Sequence, residues 1–163
     1  MYVDALSFLE DEREAWAPFE ALGALSDADL ERTTAEDGPA HGWTGRDLVA
    51  HLVAWQELAQ QSARELALGD SSPTIERIEA ERASGGDDVR SAAIQAEWRS
   101  LPLDEVRHRL ATVAGELRGY LTVVPETRWV KNPKRLAFFL ECTLDHYPEH
   151  QPELEAILAA ARG

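Results

Sequence analysis

Three histidines carry the chemistry that this sequence can be expected to do: His51 in the first half of the chain, and His146 and His150 near its end. Imidazole is the usual nitrogen donor for zinc, nickel, iron or copper, and three protein ligands leave a further position open to water or substrate. His146 and His150 are four positions apart. On one α-helix that spacing puts them about 40° apart in azimuth and roughly 6 Å apart along the axis, within reach of one ion. His51 supplies the third corner. Taken singly, each histidine reads as a core side chain satisfied by a carbonyl or an acid; taken together, on inward stripes, they read equally as a metal site or as three such core side chains. Around them stand Tyr147 and Glu149 as candidate catalytic groups, with Trp43, Trp55 and Cys142 as candidate walls of a substrate pocket. Asp47 is a further candidate for proton transfer, or a helix cap only.

The elements that must position these groups are helices. Apolar residues recur at helical spacing along most of the chain, and no stretch shows sustained period-two alternation. A first helix is expected over about residues 3 to 22. After the Gly38-Pro39 to Gly42 loop, Thr44 followed three residues later by Asp47 forms an acidic variant of the capping box, opening a second helix that runs to about Leu68. His51 lies in the middle of its inward stripe with Leu48, Leu52, Trp55 and Leu58 or Ala59. The charged stretch 74 to 86 is read as a short peripheral helix. A third long element spans about 88 to 124, interrupted at Leu101-Pro102 and restarted with Asp104 as N-cap. A fourth covers about 134 to 160. Pro148 and Pro152 lie inside it, so the helix is expected to kink or to restart with Pro148 at its first position. Four amphipathic helices with mostly short connections make an all-α four-helix bundle, a single domain over 1 to 163, with sites built from facing helices.

Composition narrows the partners. Sixteen basic residues against thirty acidic ones give a net charge of −14, which repels phosphate backbones and anionic lipid, so neither nucleic acid nor membrane is expected. A small-molecule substrate is. One cysteine excludes an intrachain disulfide, and the acidic N-terminal stretch from Asp4 to Glu14 is unlike a signal peptide, so the cytoplasm is the default. Pairing into a homodimer through a helix face is open. Two motif matches are set aside. His146-Tyr147-Pro148-Glu149-His150 fits the H-x-x-E-H pattern of inverted zinc peptidases, but the residues after His150 are too few for a downstream acidic ligand. Glu105-x-x-His108 lacks the second copy that a di-iron bundle needs.

Two segments resemble a known family. Gly42-Trp43-Thr44-Gly45-Arg46-Asp47 through His51 to Trp55 resembles the W-[ST]-x-x-D-x-x-x-H-x-x-x-W opening of the second helix in the DinB/YfiT-like superfamily, which includes the N-terminal domain of mycothiol-dependent maleylpyruvate isomerase. Thr143-Leu144-Asp145-His146-Tyr147-Pro148-Glu149-His150 is similar to a late segment of its ClbS/DfsB branch. The resemblance implies a DinB-type bundle in which His51, His146 and His150 ligate a divalent metal, zinc or nickel before others. It also implies an enzyme that hydrolyses an electrophilic small molecule or conjugates it to a low-molecular-weight thiol cosubstrate, in detoxification or self-protection. Two alternatives stand beside it: a non-catalytic protein that sequesters a small molecule, and a metal-free hydrolase of the ClbS kind.

Overall fold

In the computed structural model, which describes residues 2–163, the regular structure is entirely helical, with no strand among the described residues. Its longest element is α3 (Gly45–Leu68), preceded by α1 (Ala5–Trp16) and the one-turn α2 (Asp27–Leu30). It is followed by α4 (Pro73–Ala83), α5 (Asp87–Arg99), α6 (Leu103–Val123), α7 (Pro133–Cys142) and α8 (Gln151–Arg162). Among the described residues no helix is long and apolar enough to cross a membrane.

The central helix starts where its sequence says it should. Thr44 Oγ1 accepts the Asp47 amide at 3.0 Å and the Asp47 carboxylate accepts the Thr44 amide at 3.0 Å, which satisfies two amides at the helix start that have no intrahelical acceptor. Gly45 is required there: a Cβ would meet Leu30 Cδ1 at 2.9 Å and the Leu30 carbonyl oxygen at 3.2 Å. From Leu48 to Leu66 the helix is buried on most of its circumference, since α4, α5, α6, α7 and α8 pack against it. Two apolar clusters result, one around Trp16, Phe19, Leu52 and Tyr147, the other around Phe8, Trp129, Phe139 and Cys142. Aromatic side chains hidden to this degree contribute about 1.5–3 kcal/mol each.

Proline explains most departures from simple periodicity. The first helix stops being α-helical at Trp16 and continues as a 3₁₀ segment over Ala17–Ala24 with Pro18 in its first turn, because proline fixes φ and has no amide to donate. Pro102 separates α5 from α6 and is itself the N-cap, so Asp104 lies inside the first turn of α6 rather than ahead of it. The fourth helix breaks near Pro148, as its prolines lead one to expect, and is two helices. α7 ends at Cys142, residues 143–146 form a turn in which the Thr143 carbonyl accepts the amides of His146 and Tyr147 at 2.9 Å each, and Tyr147–His150 is a 3₁₀ turn leading into α8. His146 and His150 are therefore not on one α-helix.

Candidate metal centre

The three imidazoles nevertheless converge. His51 projects from the first half of α3, His146 flanks the 3₁₀ turn, and His150 closes that turn and caps α8. Nε2 of His146 is 2.9 Å from Nε2 of His51. Ring centroids are 4.8 Å apart for His51 and His146, 4.5 Å for His51 and His150, and 4.8 Å for His146 and His150. Each residue offers a nitrogen within 4.8 Å of the other two.

This donor set fits a divalent ion. Two nitrogen ligands on a tetrahedral zinc with bonds of about 2.0–2.1 Å stand about 3.3 Å apart. The observed spacings, 2.9 Å for one pair and at most 4.8 Å, bracket that value. Burial, reinforced by the neighbouring His150, pushes the pKa of His51 down to about 4. Burial, reinforced by His51, His150 and Arg82, pushes His146 down to about 3. Both rings are thus neutral near pH 7 and keep a lone pair for coordination. Nδ1 of His146 and Nδ1 of His150 are buried without a hydrogen-bond partner among the described residues.

Two tryptophans frame the cluster. Trp43 stacks on His150 at a centroid distance of 6.0 Å and an interplanar angle of 18°, and tilts against His51 at 5.3 Å. Its loop is pinned by Thr34, whose hydroxyl donates to the Trp43 carbonyl at 2.8 Å. Trp55, one helical turn beyond His51 on α3, meets His146 edge-on at 6.3 Å and carries the Arg82 guanidinium 5.4 Å from its ring centre.

Other candidate residues stand elsewhere. Tyr147 is fully buried with its ring against Trp16 and Phe19. Its hydroxyl donates to Glu12 Oε1 at 2.8 Å and accepts from Gln56 Nε2 at 2.9 Å, while Glu12 Oε2 accepts from Arg118 at 2.5 Å. This network ties the turn between the two late histidines to α1, α3 and α6. Burial and the Glu12 charge push the Tyr147 pKa well above the usual phenol value, so it remains a donor. Glu149 is exposed. Cys142 is fully buried beside Trp129 and Phe139, outside the histidine group, and burial raises its thiol pKa far above the ordinary value. Asp47 is occupied as the cap of α3.

Glu153 and Glu12 are the groups that sequence reasoning missed. Glu153 is 7% exposed, with Oε1 3.5 Å from His150 Nδ1 and 3.8 Å from His41 Nε2. Its position three residues after His150 was the available signal, since i,i+3 neighbours share a helix face. Glu12 offered none: an acid in an acidic N-terminal stretch looks like a solvated one.

Residues 9–138 match the family model described as mycothiol maleylpyruvate isomerase N-terminal domain, a span that contains α3 and His51 and stops short of His146 and His150. No curated protein and no solved structure is a significant match to this chain.

Proposed function

The chain belongs to the mycothiol maleylpyruvate isomerase N-terminal domain family, a DinB-like helical family, and from that premise we propose that it is a small-molecule-modifying enzyme whose His51, His146 and His150 hold one divalent ion, zinc or nickel. Its reaction is the hydrolysis of an electrophilic small molecule or its addition to a low-molecular-weight thiol. One observation carries this reading: three imidazoles from segments 95 residues apart each bring a nitrogen to one place, and burial keeps two of them unprotonated. A divalent ion so held supplies Lewis acidity that makes water or a thiol nucleophilic near neutral pH.

The remaining roles follow from placement. Trp43 and Trp55 wall the cluster and exclude bulk water, which strengthens every charge interaction inside it. Tyr147 acts by holding the turn between His146 and His150 rather than by touching substrate, since both of its hydroxyl partners are protein side chains. The single free cysteine, buried and protonated, suits a reducing compartment such as the cytoplasm.

A second reading has its own observation. Two neutral imidazoles 2.9 Å apart through their Nε2 atoms already satisfy a hydrogen bond without an ion, one donating and one accepting. That pairing supports a metal-free hydrolase in which an imidazole accepts a proton from water.

The test is turnover of a panel of epoxide and quinone electrophiles by tag-free protein, with and without a small thiol, before and after exhaustive chelation. Loss of turnover on chelation and its return with zinc or nickel is the expected result. Turnover that survives chelation assigns the chemistry to the imidazoles alone, and protection strictly stoichiometric with protein removes catalysis in favour of sequestration.

A further inference from the structure

We propose that Glu153 is a positioning residue for the proposed ion: its carboxylate accepts Nδ1–H of His150, fixes that ring's tautomer, and so commits His150 Nε2 to the cluster. The inference rests on the metal reading above and extends it to a residue outside the three donors.

Burial makes Glu153 conspicuous. It is 7% exposed on the first turn of α8, and its Oε2 is buried without a partner among the described residues. A buried carboxylate is costly unless positive charge or donors compensate it. The cationic or donor groups that the structure brings to Oε1 are His150 Nδ1 at 3.5 Å and His41 Nε2 at 3.8 Å, and no arginine or lysine pairs with this carboxylate among the described residues. His41 is largely exposed and sits in a loop held by positive φ values, 55° for His41 and 81° for Gly42. His150 is the nearer and more buried of the two, with its side chain 14% exposed.

The two orphans answer each other. Nδ1 of His150 is buried with no hydrogen-bond partner among the described residues, and the carboxylate three residues on has one oxygen in the same state. A divalent charge carried through the imidazole is the compensation that this carboxylate otherwise lacks, and a carboxylate behind a ligating histidine orients the ring and raises its basicity. At 3.5 Å the pair is just outside good hydrogen-bond length, so a small rotation of either side chain closes it.

The experiment uses the full-length chain without a tag and compares it with Glu153→Met, which removes the carboxylate while filling its volume, and with Glu153→Gln. In metal-free protein labelled with nitrogen-15, long-range proton–nitrogen correlation at pH 7.5 reads the tautomer of His150, and competition titration reads affinity for zinc alone. Expected are an Nδ1–H tautomer in the parent protein that is lost in Glu153→Met, a zinc affinity about 10–100-fold weaker in that variant, a smaller loss in Glu153→Gln, and an unfolding midpoint no lower than the parent's. An Nε2–H tautomer in the parent, or zinc affinity in Glu153→Met within tenfold of the parent's, overturns the assignment. If the parent binds no zinc the metal reading fails, and the tautomer measurement still decides whether Glu153 orients His150.

Discussion

Nε2 of His51 lies 2.9 Å from Nε2 of His146, although one belongs to the central helix and the other to the turn that separates the last two helices. The pair is largely withdrawn from solvent and neutral, and a pH dependence follows. In the unfolded chain both rings titrate near 6.5; in the fold, burial first and neighbouring histidines second lower them to about 4 and about 3. Between those limits the unfolded state binds protons that the folded state refuses, so stability rises with pH there and is lost as pH falls. Urea unfolding of the metal-free protein should show stability level above pH 7 and falling from about pH 6.5 downward, by up to about 1.4 kcal/mol per pH unit for each histidine. Constant stability from pH 7.5 to 5 would show that the rings are not buried as described.

The Glu12, Tyr147 and Gln56 network predicts a graded loss. Tyr147→Phe leaves a buried carboxylate oxygen and an amide without their partner and should cost about 1–3 kcal/mol. Glu12→Ala strands Arg118 as well and should cost about 3–5 kcal/mol. Denaturant midpoints measure both, and equal losses in the two variants would contradict the network.

For Cys142 the expectation is inertness. Its thiol is fully buried and its pKa is raised, chiefly by burial, so the thiolate that reacts is scarce. A disulfide reagent should label the native protein at least about 100-fold more slowly than the protein in denaturant. Labelling at comparable rates would put the thiol at the surface.

Helix identity was readable from the residues because period and caps agree: the capping box at Thr44 and Asp47 fixes the start of α3, and the apolar stripe through His51 its course. The convergence of His51, His146 and His150 was legible for a reason that does not hold. The i,i+4 spacing assumes one helix, whereas Pro148 and Pro152 replace it with a turn and a 3₁₀ segment that still aim both rings inward. Glu12 was illegible because its role depends on Tyr147, 135 positions away, which no local pattern encodes, whereas Glu153 left one local trace, its i,i+3 spacing from His150. Tyr147 shows the same limit from the other side: its place beside His146 in sequence suggests chemistry, yet its ring turns into the core against Trp16.

Whether these three imidazoles hold one ion is decided by metal analysis of tag-free protein joined to zinc competition titration. One equivalent per chain is expected in the parent protein, with affinity weakened by about two orders of magnitude or more in each of His51→Ala, His146→Ala and His150→Ala. Full occupancy retained in all three variants, or no more metal in the parent than in the variants, would contradict it.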